Sequence, residues 1–182
     1  MDKQENIIYL DVETQLLSDD VGGWGHIDKM KVAIVVIYSS KEDKFYHFTE
    51  GSMFYLLDKL KEATLVVGFN IKNFDYKVMQ PYYLDFDLKT LPTYDILEES
   101  NKKLGHRISL QAFAEPTLNI GKSADGLKAV EWFKSGEIQK IIDYCKQDVI
   151  VTRDLYLFAE RNGYLKFNDK KTGKEKVVFL EV

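Results

Sequence analysis

Apolar residues fall first in short unbroken runs and later in a helical rhythm. Ile7-Ile8-Tyr9-Leu10 is a run of the sort that forms a buried strand, and it stops abruptly at Asp11-Val12-Glu13-Thr14. After a glycine-rich turn around Gly22-Gly23-Trp24-Gly25, the stretch Lys31 to Tyr38 predicts a second buried strand, and Lys44 to Phe48 its hairpin partner across the charged turn from Ser40 to Asp43. Three strands in succession predict an antiparallel start. From Ser52 the spacing turns helical, with Phe54, Leu57, Leu60 and Lys61 following a serine suited to capping. Leu65-Val66-Val67-Gly68 predicts a compact strand. Asn70-Ile71-Lys72-Asn73-Phe74-Asp75 follows, with a helix-compatible run to Met79 that Pro81 ends. Thr93 to Leu97 reads as a final short strand, and helices are expected to begin at Ser109 and Ser123. Glu137 to Arg161 carries the strongest helical pattern: Ile138, Ile141, Ile142, Cys145, Val149 and Leu155 lie on one broad stripe, and Gly163 stops it. The tail from Tyr164 to Val182 predicts a β-hairpin turning at Lys171-Thr172-Gly173-Lys174.

Strands first, then strands alternating with helices, is the pattern of an α/β mixed sheet flanked by helices. Ligands in such sheets sit beyond the carboxyl ends of strands, which is where Asp11 and Glu13 fall. The chain has 182 residues and a hydrophobic fraction of 45%, enough for one domain over residues 1–182 with a proper core. Its single cysteine, Cys145, excludes an internal disulfide, and no Cys/His cluster has zinc-site spacing. No apolar run approaches the roughly 18 residues a membrane span needs. A soluble cytoplasmic protein in a reducing compartment, with no membrane partner, is expected. The formal charge of −4 argues at first against a phosphate-bearing partner. Two divalent cations held by acids would cancel it and would themselves receive phosphate oxygens.

Three acidic motifs carry candidate chemistry. Asp11 and Glu13 are two apart at a strand end, so on an extended chain both carboxylates project from one face. Such a pair drives one pKa upward unless a cation compensates; a solvated acidic loop is the plainer alternative. Asp75 follows Phe74 at the start of a helix, where capping or dipole complementation is the competing role. Tyr144 and Asp148 are four apart and share a helix face with Ile141, Cys145, Thr152 and Leu155. A carboxylate on a packing face needs a partner. At a helix edge it would instead pair with Lys140 or Lys146.

Taken in order, DVET, GFNIKNFD and YCKQDVIVT closely resemble the three motifs of the DEDD superfamily of 3′-to-5′ exonucleases, which has a ribonuclease H-like fold. The resemblance runs from about Ile7 to Tyr156. The tyrosine four before the last aspartate looks like the DEDDy branch, as in ribonuclease D-like enzymes and the proofreading domains of family B DNA polymerases. The resemblance implies a mixed sheet of three antiparallel strands followed by parallel ones, flanked by helices. It implies Asp11, Glu13, Asp75 and Asp148 as ligands of two Mg2+ or Mn2+ ions about 3.5–4 Å apart, with Tyr144 orienting the attacking water. Oxygen-only donors suit such hard cations. Thr14, Asn70 and Phe74 fall where the family touches the terminal nucleotide, although Asn70 also suits a turn and Phe74 a core. The implied activity is release of nucleoside monophosphates from single-stranded DNA or RNA 3′ ends. Partners of the kind the resemblance suggests are a polymerase, a helicase or another repair or replication protein. Two alternatives stand beside it: a non-catalytic nucleic-acid-binding or partner-binding module of the same fold, and a phosphodiesterase of very short oligonucleotides.

Other positions are less committed. His26, His47 and His106 are not where the sister DEDDh branch carries its base, and are expected to be structural or exposed. Trp24 and Trp132 offer base-stacking surfaces, but Trp132 with Leu127 and Val130 also suits helix packing. Arg107 and Lys122 suit solvated surface or phosphate contact. The lysine-rich segment from Lys166 to Lys176 suits nucleic-acid contact or the blunting of an edge strand.

Overall fold

A computed structural model describes residues 5–121, 126–169 and 172–182. A five-stranded sheet is built from β1 (Ile7–Thr14), β2 (Val32–Ser39), β3 (Lys44–Phe48), β4 (Leu65–Gly68) and β5 (Thr93–Asp95), in the order β3-β2-β1-β4-β5. The β1–β2 and β2–β3 pairs are antiparallel; β1–β4 and β4–β5 are parallel. This is the mixed sheet expected from the order of runs. β1 is longer than its apolar run suggests, because backbone pairing with β2 continues past Leu10 to Thr14. The acids therefore lie within the strand. β2 begins at Val32 because Lys31 has a φ of 56°, outside the extended region.

Alternation along β1 sends its two side-chain sets into different cores. Ile7 and Tyr9 join Ile34, Val36 and Val67 under the long helix α6 (Ile138–Asn162), where they meet Ile141, Cys145, Val149 and Leu155. Ile8, Leu10 and Val12 join Val35, Ile37 and Val66 on the other face, against Leu56 and Leu60 of α1 (Met53–Lys61) and Tyr76, Val78 and Met79 of α2 (Asp75–Met79). The sheet is thus covered on both faces, and the odd-numbered residues of β1 face α6.

Several boundaries differ from expectation for local reasons. The strand expected over Thr93–Leu97 ends at Asp95, whose side chain accepts hydrogen bonds from the backbone of Leu97 at 3.1 Å and Glu98 at 3.2 Å. Those contacts cap α3 (Ile96–Leu104). Ser52 does not cap α1 through its own side-chain bond. It closes a turn with Thr49, whose N–H donates to Ser52 Oγ at 2.9 Å. Ser109 caps α4 (Leu110–Leu118) as expected, its Oγ accepting from Ala112 N at 3.3 Å. The expected start at Ser123 lies outside the described residues, and α5 is Gly126–Lys134. Gly163, with a φ of 78°, ends α6. β6 (Tyr164–Asn168) and β7 (Glu175–Phe179) pair antiparallel as a separate two-stranded sheet, docked on α4 where Thr117 Oγ1 bonds both Lys166 N and Lys166 O at 3.0 Å, and the turn expected from Lys171 begins outside the described residues. Among the described residues, no helix is long and apolar enough to cross a membrane.

Candidate metal and catalytic centre

Asp11 and Glu13 continue the odd-numbered face of β1 beyond Tyr9, so both aim at α6. On that helix Asp148 lies one turn from Cys145 and Tyr144, and ligand oxygens of Asp11, Glu13 and Asp148 come within 4.8 Å of one another. Residues more than 130 positions apart thus meet because one strand face and one helix stripe share a core. The surface pairing considered for Asp148 does not form: Lys140 pairs with Glu137, and Lys146 lies over the Phe45 ring at 4.7 Å. Glu13 is only 9% exposed, so the pair is not a solvated loop. Cys145 is buried beneath the site, with its thiol 3.3 Å from both the backbone oxygen and Oδ2 of Asp11.

Asp75 approaches from the opposite side of the sheet. β4 stops at Gly68, where an added Cβ would lie 2.6 Å from Ile71 Cβ, so only glycine lets the following loop fold back this tightly. Asn70, with a φ of 64°, reverses the chain, and its carbonyl accepts from Phe74 N at 2.9 Å. Asp95 holds this loop in place: its carboxylate accepts Asn70 N at 2.8 Å and Lys72 N at 3.2 Å as well as capping α3. Asp75 then opens α2, 3% exposed. It lies outside the trio of converging oxygens but shares a cavity with Asp11 and Glu13.

That cavity, about 460 Å³, is walled by Asp11, Glu13, Thr14, Phe74 and Asp75, with Leu127 of α5 and Trp24 on its rim. The sequence-derived substrate positions therefore separate. Thr14 and Phe74 line the cavity, although the Thr14 hydroxyl donates to Leu16 O at 2.9 Å. Asn70 is not among the lining residues; its Oδ1 accepts from Arg107 Nη2 at 3.1 Å. Trp132 packs edge-on against Tyr144, ring centroids 6.1 Å apart, while Trp24 is 68% exposed. His26, His47 and His106 are exposed. Cys145 and Asp95 were not singled out as site residues from the sequence. Cys145 sits inside an apolar stripe that explains it without a polar role, and Asp95 sits where a strand reading ran straight through its capping position.

The electrostatics of the cluster are one-sided. Burial, then the neighbouring carboxylates, raises the pKa values of Asp11, Glu13 and Asp75 well above the usual range. Burial pushes Asp148 up to about 6, although the neighbouring Tyr144 hydroxyl pulls the other way. The Tyr144 hydroxyl is raised by burial and then by Asp148, Glu13 and Asp11, so it stays protonated. Among the described residues, no lysine or arginine forms an ion pair with any of the four acids. Like charges gathered without a basic partner are costly, and a bound cation is the economical remedy. All the converging donors are carboxylate oxygens, which fits a hard divalent cation.

No curated protein sequence matches the chain. Among solved structures, the fold is similar to part of a family B DNA polymerase from the hyperthermophilic archaeon Pyrobaculum calidifontis, with a TM-score of 0.63 and 16% identity over 86% of this chain. That match covers 24% of the polymerase chain, so this protein corresponds to about a quarter of it. The sequence profile of the RNase_H superfamily matches residues 8–159. That span runs from the strand bearing Asp11 and Glu13 through the helix bearing Asp148, and by its match the chain belongs to the RNase_H superfamily.

Proposed function

We propose that this protein is a divalent-metal-dependent exonuclease of the DEDDy type, which removes nucleoside monophosphates from the 3′ ends of single-stranded nucleic acid. The observation that carries this reading is the convergence of Asp11, Glu13 and Asp148 within 4.8 Å, beside a cavity that Asp11, Glu13 and Asp75 line. The four carboxylates would hold magnesium or manganese, which when bound supplies Lewis-acid activation of water and neutralises charge on the attacked phosphate and departing oxygen. Tyr144, still protonated and one helical turn from Asp148, would orient a water by hydrogen bonding without taking its proton. Phe74, Leu127 and Trp24 give the cavity apolar walls suited to a base and ribose. Cys145 and Asp95 act at one remove, the first steadying Asp11 and the second fixing the loop that delivers Phe74 and Asp75. The family B polymerase that shares the fold is consistent with a polynucleotide substrate.

The test is digestion of a single-stranded 20-residue DNA or RNA with manganese. A 5′-labelled strand should shorten one residue at a time from the far end, and a 3′-labelled strand should release labelled mononucleotide first. If neither label is ever released in mononucleotide form, the reading is wrong; if only the 5′ label is, its polarity is wrong.

A further inference from the structure

We propose that a second cavity, on the other side of Trp24, is a subsite for the adjoining nucleotide of the strand whose 3′ end occupies the acid-lined cavity, with the exposed indole as the stacking surface for its base. This rests on the exonuclease reading above and adds where the rest of the strand goes. Trp24 belongs to the walls of both cavities, the acid-lined one and a second of about 450 Å³. A strand leaving the first therefore crosses the indole to enter the second.

The ring is presented rather than merely left over. Gly22 and Gly23, with φ values of 91° and 104°, turn the chain just before the short 3-10 helix Trp24–Lys29. Phe74 backs the indole with ring centroids 6.5 Å apart, while 68% of Trp24 remains exposed. A tilt of 57° between the rings leaves no parallel slot between them, so a base stacks on the open indole surface. The second cavity also carries Gly25, Lys77, Lys89, Asp28 and Asp87. Asp87 is committed to a local cap, its Oδ1 accepting Lys89 N at 2.9 Å. Lys77 and Lys89 supply cationic groups for a phosphodiester, but two lysines against two aspartates leave the lining balanced. Stacking, which every base supports, therefore carries most of the contact, and the subsite is indifferent to sequence.

The chain has two tryptophans, Trp24 and Trp132, so its fluorescence reports the contact directly. With magnesium and hydrolysis-resistant phosphorothioate strands of thymidine or uridine, an eight-residue strand should quench emission more than a mononucleotide does at saturation. The excess should vanish in Trp24→Phe, where only Trp132 reports. Anisotropy of a labelled eight-residue strand should show binding weakened roughly 5- to 100-fold in Trp24→Ala, the range expected of one base–aromatic stack. Trp24→Phe should retain most of the affinity, and joint replacement Lys77→Gln and Lys89→Gln should weaken binding and reduce its salt dependence. Equal quenching by one and eight residues, or full affinity in Trp24→Ala while the wild type still digests strands, overturns the subsite and leaves the exonuclease reading standing. Failure of the wild type to bind or digest any strand removes both.

Discussion

Replacing Asp148 with asparagine is expected to cut metal-dependent mononucleotide release by at least about 10³-fold while making the metal-free protein more stable. The first effect follows from removing one of three converging oxygens, because a displaced cation forfeits several kcal/mol of charge stabilisation at the reacting phosphate. The second follows from the burial that pushes Asp148 up to about 6. At pH 8 the folded chain keeps this group ionised against that preference, at a cost of about 1–3 kcal/mol. Asparagine keeps the shape and discards the charge. Its melting temperature without metal should rise by roughly 2–12 °C, given about 2–4 °C per kcal/mol for a chain of this size. A variant that loses activity and also melts lower would indicate that Asp148 serves the fold. One that keeps activity would remove it from the chemistry.

The metal-free wild type should be more stable at pH 6 than at pH 8, the reverse of a protein whose acids are held by salt bridges. Asp11, Glu13, Asp75 and Asp148 all have folded-state pKa values above their ordinary ones. Between the ordinary and the raised value the folded chain binds more protons than the unfolded one. This stability is complete below about pH 4 and is lost as pH rises through the raised values, about 6 for Asp148. Millimolar magnesium or manganese should close the gap at pH 8, because the cation replaces the protons and binds the folded form alone. Thermal melts at the two pH values, each with chelator and with metal, read all four states. Equal melting temperatures at pH 6 and pH 8 in chelator would mean that the acids are not strained by one another.

Much of this centre was legible because the chemistry interrupts clear patterns. Asp11 and Glu13 break an apolar run, and Tyr144 and Asp148 share a face of the most regular helix. The mixed sheet followed from strands that precede and then alternate with helices. What escaped notice depends on contacts that sequence spacing does not encode. The extension of β1 to Thr14 is set by its pairing with β2, not by its own apolar content. Asp95 becomes a cap only because β5 stops beside Gly68, which brings the Asn70 loop within reach of its carboxylate. Cys145 reads as one more apolar position until β1 lies beneath it. Asn70 suited both a turn and contact with the terminal nucleotide, and its backbone makes the turn while its side chain meets Arg107.

Calorimetric titration of manganese into metal-free protein at pH 8 tests the convergence of these acids most directly. Saturable binding of two ions, sharply weakened by Asp11→Asn and by Asp148→Asn alike although the two residues come from opposite ends of the chain, is the result expected. Binding indifferent to both substitutions, or no saturable binding at all, would contradict it.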